Sequence, residues 1–219
     1  MNRENVLRKT KEDAEKTRQD IIDAGIRVFS RKLYAVVNMS DIAKEAGVTR
    51  GAIYWHFKNK SDLFMEIHNL VVKEIEIIVS SSITQGITLK DRTFSILNNL
   101  ILRYSRDKKL RQMNKVLYLN QAVFEMKEFR ENHINYHKSK EQFFTDLIKK
   151  ATGKDIDIKS DRNVMVEFLS VVAYMQGILE MIIYQEESGL PKLEEKDISQ
   201  LVNILLDGLF SYKKPAATA

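Results

Sequence analysis

Asn38-Met39-Ser40-Asp41-Ile42-Ala43-Lys44-Glu45-Ala46-Gly47-Val48-Thr49-Arg50-Gly51-Ala52-Ile53-Tyr54-Trp55-His56-Phe57 reads as two short helices joined by a tight turn. Asn38 is a good N-cap, because its side-chain oxygen can take an orphan N–H of a helix's first turn. Met39, Ile42, Ala43 and Ala46 recur at helical spacing and give that helix one apolar face. Gly47 falls where the helix must stop, since glycine tolerates the positive φ that closes a C-terminus. Val48 points back toward a small core, and Thr49 can cap a second helix from Arg50 to about Phe57. A Gly-containing turn between two short helices is the helix-turn-helix pattern.

The second helix has an unusual surface. Ile53 and Phe57, four apart, supply its buried stripe, and Arg50, Gly51, Ala52, Tyr54, Trp55 and His56 cover the remainder. A solvated helix would carry Glu and Lys there, so this face is suited to a partner. Gly51 and Ala52 let a backbone come close, and Arg50 can fork onto a guanine edge in a major groove. Asn38, Thr49, Tyr54, Trp55 and His56 complete the set of candidate DNA-contacting side chains, with hydroxyl and ring N–H groups suited to phosphates.

Ile42-Ala43-x-x-Ala46-Gly47-Val48-Thr49-x-Gly51-x-Ile53-Tyr54-x-His56-Phe57-x-x-Lys60-x-x-Leu63 resembles the DNA-binding signature of the TetR family of bacterial repressors. Thr17-Arg18-x-x-Ile21-Ile22-x-Ala24, with Phe29, resembles that family's first helix. A narrower likeness, in Arg8-Lys9-Thr10-Lys11 and in Val48 to Lys58, is to AcrR-like and TtgR-like repressors of multidrug efflux pumps. Two positions depart from the family pattern. Leu33 and Val37 stand where a glycine and a threonine are usual. Leu33 must therefore end the first helix without a glycine cap, and Val37 has no hydroxyl to give a phosphate.

Composition agrees with a helical, soluble protein. Hydrophobic residues make up 44% and charged residues 30%, with two prolines and eight glycines among 219 residues. The absence of cysteine excludes disulfides, thiolate metal sites and thiol nucleophiles. No basic-then-apolar leader is recognisable, so a cytoplasmic location is expected. Residues 1–62 carry 13 Lys/Arg against 9 Asp/Glu, or +4, whereas the remainder carries 22 against 21, or +1. The basic excess thus sits with the helix-turn-helix, as a nucleic-acid footprint requires.

Along the chain, residues 1–9 lack periodicity and are expected as a free, disordered terminus, with a basic arm reaching along or into a minor groove as the less favoured alternative. The pattern predicts helices at Thr10–Lys32, Lys60–Ile83, 89–106, 108–124, 127–151, 160–186 and 194–212, with a linker at 81–88. Breaks fall at Asp107, Gly153-Lys154-Asp155 and Ser188-Gly189-Leu190-Pro191, and the tail from Lys213 is expected to fray. Asn59 caps the long fourth helix, with Asp62 three residues on, and Lys60 at its start is placed to meet a phosphate. The expected fold is all-α: an N-terminal three-helix helix-turn-helix DNA-binding domain, residues 1–62, followed by a C-terminal helical ligand-binding and dimerisation domain, residues 63–219. Residues 163–184 are the most apolar stretch, yet Glu167, Gln176 and Glu180 interrupt it, which disfavours a membrane span. A helix buried on most of its circumference fits better. The last two long helices, about 160–186 and 194–212, are apolar on more than one side and predict a two-fold homodimer.

The family resemblance implies double-stranded operator DNA and a small-molecule effector as partners. Met113-Asn114-Lys115-Val116-Leu117-Tyr118 resembles the segment that supplies an efflux regulator's polar pocket anchors, implying Asn114, Leu117 and Tyr118. Val171 to Leu179 resembles its wall helix and implies Val172, Met175, Gln176 and Leu179, with Val72 and Ile75 contributed by the fourth helix. Such a pocket would accept varied aromatic or amphipathic ligands. A regulator sensing one metabolite, such as a lipid-derived acid, is the alternative, and a buried Arg or Lys would mark it. His133 and His137, four apart on a helix, are a further pair that could ligate a metal in an enzymatic or metal-dependent helical protein. Their neighbours Glu131, Asn132, Lys138 and Lys140 read as a solvated face. No phosphate-binding loop, dinucleotide fingerprint or nucleophile motif is present, so neither an enzyme nor a cofactor is expected.

Overall fold

The computed structural model describes residues 3–82, 88–152 and 160–211, in which every regular element is helical. The expected break at 153–155, most of the linker (83–87) and the tail from 213 lie outside the described residues. The helices are α1 (Arg3–Phe29), α2 (Met39–Ala46), α3 (Arg50–His56), α4 (Lys60–Ser82), α5 (Leu89–Arg106), α6 (Lys108–Leu119), α7 (Lys127–Thr152), α8 (Arg162–Ile183), α9 (Gln185–Ser188) and α10 (Glu195–Ser211). Single 3₁₀ turns cover Tyr34–Val36 and Gln121–Glu125.

Two expectations need correction. α1 starts at Arg3, so the segment expected as a free terminus is helical. Arg3 to Lys9 contains no glycine or proline, and its Arg, Glu, Leu and Lys favour continuing the helix. α6 stops at Leu119, where Asn120 turns the chain into the 3₁₀ segment.

The chain divides into two compact units, one formed by residues up to Lys73 with Gln112–Phe129, the other by Glu74–Arg111 with Arg130 onward. The boundary expected at residue 62 lies within the unbroken α4. In the first unit, Ile21, Ile22, Phe29, Ile42, Ile53, Leu63, Phe64 and Ile67 are fully buried. Burying side chains of this size contributes about 1.5–3 kcal/mol each. Gly25 lets α1 and α4 approach, since a Cβ there would sit 3.1 Å from Leu63 Cδ2. Phe64 anchors an aromatic cluster, edge-on to Phe29 at 5.4 Å and to Phe129 at 5.6 Å, while Tyr34 meets Phe129 at 5.7 Å. Residues from beyond α6 thus help to build the core under the helix-turn-helix.

The second unit packs α10 along α5 and sets α8 against both. Ile96, Leu97, Ile101, Met175, Ile178, Ile182, Ile198, Val202 and Leu206 form its interior. Tyr174 Oη donates to the Leu201 carbonyl at 2.8 Å, and Ser199 Oγ to Asn98 Oδ1 at 3.0 Å. Lys90–Asp207 and Arg106–Glu195, both at 2.7 Å, bridge α5 and α10 at the surface.

Within one chain α8 is buried along one side only, the side expected to line the core. Among the described helices it alone is long and apolar enough to cross a membrane, and only 22% of its apolar window is covered within one chain. Val164, Met175, Ile178 and Ile182 face inward, whereas Val166, Leu169 and Met181 are exposed, as are Ile204 and Phe210 on α10.

Candidate nucleic-acid interface

The helix-turn-helix is held by caps at each junction. Asn38 Oδ1 accepts from the Asp41 N–H at 2.9 Å, and the Asp41 carboxylate accepts in return from the Asn38 N–H. Gly47 takes φ +70°, and the Val48 N–H reaches the Ala43 carbonyl at 3.0 Å, closing α2. A Cβ at Gly47 would meet nothing within 4 Å, so the glycine is needed for its conformation, not its size. Thr49 Oγ1 accepts from the Ala52 N–H at 3.1 Å, which leaves the hydroxyl proton for an outside acceptor. Arg27 fastens α1 to α2 through Glu45 at 2.6 Å, and this guanidinium holds the Glu45 carboxyl below its ordinary range.

α3 is consequently fixed with Ile53 and Phe57 inward. Arg50, Gly51, Tyr54 and Trp55 are exposed, Trp55 by 73%, while Ala52 and His56 are half-buried. A Cβ at Gly51 would come no closer than 3.8 Å to any neighbour. Nothing inside the fold therefore demands glycine at position 51, and the bare backbone there suits an external surface that must come close. The Trp55 indole stands edge-on to His56 at 4.5 Å. Burial lowers the His56 pKa from its ordinary value, and the Arg18 guanidinium adds to the effect.

Lys60 is placed differently from its expected role. Asn59 Oδ1 caps α4 through the Asp62 N–H at 2.8 Å, as its sequence indicates. The Lys60 ammonium turns inward: it donates to the Tyr34 carbonyl at 2.6 Å and the Val37 carbonyl at 2.7 Å, above the Tyr34 ring. Burial lowers its pKa, with Glu128 opposing. In this structure the lysine pins the segment between α1 and α2. Val37 is itself buried among the core residues.

The residues implied for a ligand pocket are divided between the two units. Val72, Asn114, Leu117 and Tyr118 belong to the first unit; Ile75, Val172, Met175, Gln176 and Leu179 belong to the second. Gln176 is exposed on the single chain. The second unit holds a cavity of ≈ 240 Å³, walled by Phe144 and Ile148 of α7, Thr93 of α5, Glu167 and Val171 of α8, and Leu206 of α10. None of the nine implied residues lines it. The inward stripe of α8 runs through Val164, Met175, Ile178 and Ile182; of the implied residues Met175 lies on it, Val172 and Leu179 are half-buried and Gln176 faces outward. His137 is exposed, and His133 lies outside the described side chains.

Residues 21–67 match the family described as bacterial regulatory proteins, tetR family. The matched segment runs from within α1 through α2 and α3 into α4. The HTH-type transcriptional regulator AcrR of Shigella flexneri is 59% identical over 65 residues, covering 30% of this chain and 30% of that protein. The HTH-type transcriptional regulator TtgR of Pseudomonas putida is 33% identical over 118 residues, covering 52% of this chain and 54% of that protein. The chain is thus aligned to between about a third and a half of these relatives' lengths. Among solved structures, NalD, the secondary repressor of the MexAB-OprM multidrug efflux pump in Pseudomonas aeruginosa, superposes with a TM-score of 0.64. The match is 24% identical and covers 91% of this chain and 96% of NalD, a likeness of fold.

Proposed function

We propose that this chain is a ligand-responsive transcriptional repressor that binds a palindromic operator as a homodimer and controls a multidrug efflux system. The observation that carries the reading is the outward face of α3, where Arg50, Gly51, Tyr54 and Trp55 stand exposed on a capped and buried scaffold. Arg50 reads a base edge while Thr49, Tyr54 and His56 fix the register on phosphates. Two such helices, carried by a dimer, read half-sites about one helical turn apart. The uncovered apolar faces of α8 and α10 supply the dimer contact, and a regulator of this kind works in the cytoplasm.

The effector occupies the cavity between α5, α7, α8 and α10. Its wall is aliphatic and aromatic with one hydroxyl and one carboxylate, a lining that suits apolar or amphipathic compounds. A lipid-derived acid is the poorer fit, because its carboxylate would face Glu167 with no Lys or Arg among the lining residues. The effector favours a state in which the two α3 helices miss the grooves, so DNA must weaken effector binding by the factor with which effector weakens DNA binding.

Sedimentation of the protein with a duplex from upstream of its own gene tests the DNA reading. Two chains or a multiple of two per palindrome, lost in Arg50→Ala, is the expected result; equal binding to unrelated duplex of the same length contradicts it. Leu206→Trp, which fills the cavity, should abolish release by every active compound, and unaltered release would place the effector elsewhere.

A further inference from the structure

We infer that Asn120 is a positioning residue for DNA reading: its side-chain amide closes the C-terminus of α1 in place of a glycine cap and sets the segment that launches α2. The inference rests on the DNA-binding reading above, and one of its readouts is independent of that reading.

α1 leaves its last turn without any residue at positive φ. The only such residues among those described are Gly47 and Gly189, and Leu33 lies at φ −63°. The terminus is instead tightened by the Ser30, Arg31 and Lys32 N–H groups, which return to the Ile26 and Val28 carbonyls. The Phe29 carbonyl and the Tyr34 N–H remain, both in the interior. Asn120, 3% exposed, meets both. Its Oδ1 accepts from the Tyr34 N–H, and its Nδ2 donates to the Phe29 carbonyl at 3.3 Å and to the Val116 carbonyl at 2.8 Å. One planar amide thus ties the end of α6 to the end of α1 and to the start of the Tyr34–Val36 turn. A hydroxyl, a carboxylate or an ammonium could not supply this pairing, because two donors and an acceptor are used together.

The same short segment is gripped from α4, where Lys60 holds the Tyr34 and Val37 carbonyls. The next residue is Asn38, the N-cap of α2. The path from α6 to the recognition helix is therefore Asn120, Tyr34, Val37, Asn38 and α2, with hydrogen bonds or peptide links at each step. Without the amide, the Phe29 carbonyl and Tyr34 N–H lose their partner inside the core, and the segment must shift to satisfy them. α2 and α3 shift with it, so the cost falls on DNA affinity as well as on stability.

The test compares wild type, Asn120→Ala and Asn120→Asp in the full-length protein, well below the unfolding transition. Amide hydrogen exchange is read at Tyr34 and across α2 and α3, and affinity is read on a duplex from upstream of its own gene, counted per folded dimer. Asn120→Asp keeps the acceptor for Tyr34 but sets a carboxylate against two carbonyls. The expected result is faster exchange at Tyr34 in Asn120→Ala, faster exchange through α2 and α3 in both variants, and operator affinity lowered about tenfold. A residue that only adds stability would lower the melting temperature and leave affinity per folded dimer unchanged; that outcome overturns the inference, as does wild-type exchange in both variants. Should wild type itself fail to bind any duplex, the DNA reading falls, and exchange at α2 and α3 alone decides whether Asn120 positions them. Should Asn120→Ala fail to fold, Asn120→Asp is read by the same two measurements.

Discussion

The Lys60 ammonium lies 4.2 Å from the centre of the Tyr34 ring and 2.6 Å from that residue's own carbonyl oxygen. The Tyr34 hydroxyl, in turn, is 2.9 Å from Ser61 Oγ, which donates to Glu128 at 2.9 Å. The start of α4, the turn before α2 and the start of α7 are thereby joined in one polar cluster beneath the helix-turn-helix. Burial and Glu128 push the Tyr34 pKa up, with the Ser61 hydrogen bond opposing, so its hydroxyl stays neutral near pH 7.

This geometry predicts how Lys60→Met behaves. Losing two hydrogen bonds from an ammonium to internal carbonyls should cost on the order of 1–3 kcal/mol of stability. Because the charge is engaged within the protein, the salt dependence of DNA binding should change little. A direct phosphate contact would instead lower the slope of log K against log salt by about one. Binding isotherms at four or more salt concentrations distinguish the two, and a slope lowered by one unit would return Lys60 to the phosphate.

Arg50→Ala should weaken operator binding by about 1–3 kcal/mol and relax specificity at one base position. Arg50 is exposed at the first turn of α3, so the folded protein should be unaffected. A selection from randomised duplexes reads the specificity change directly. Uniform weakening across all sequences would reassign the guanidinium to the backbone.

His56 gives a pH dependence whose sign follows from its environment. Burial and Arg18 depress its folded pKa below 6.5, so the unfolded chain binds the proton more readily. Its contribution to stability is present above pH 6.5 and is lost as pH falls through the depressed folded value. A phosphate beside the ring would favour the charged form, so operator binding should take up a proton and strengthen on acidification relative to His56→Gln. Calorimetry in two buffers of different ionisation heat measures that uptake, and equal uptake by the variant would remove His56 from the phosphate.

The uncovered faces of α8 and α10 predict the effect of a charge placed there. Ile204 is 59% exposed on one chain, although its residue type favours burial. Ile204→Glu and Leu169→Glu should each give monomers by sedimentation and reduce operator affinity by more than any single contact residue. Retention of a dimer by both variants would place the interface on another surface.

The sequence made the helix-turn-helix legible almost to the residue. Asn38, Gly47, Thr49 and Asn59 are local signals, since each cap is decided by its own next few residues. Other features depend on partners far along the chain and have no local signature. Lys60 meets carbonyls at positions 34 and 37, while Asn120 reaches back to Phe29 and Tyr34. Leu33 showed that α1 lacked its usual cap, yet nothing nearby pointed to position 120. The inward side of α8 is hard to read for a related reason. Val164, Met175 and Ile178 turn inward while Gln176 is exposed, and an apolar helix of this kind gives no sequence contrast that fixes its rotation.

Fluorescence anisotropy of a labelled duplex from upstream of the chain's own gene, titrated with and without a panel of apolar and amphipathic efflux substrates, tests the central claim most directly. The account predicts saturable, sequence-specific binding at dimer stoichiometry, released by at least one compound, and release that Leu206→Trp prevents. Specific binding that persists when every compound shown to bind the protein is saturating would contradict it.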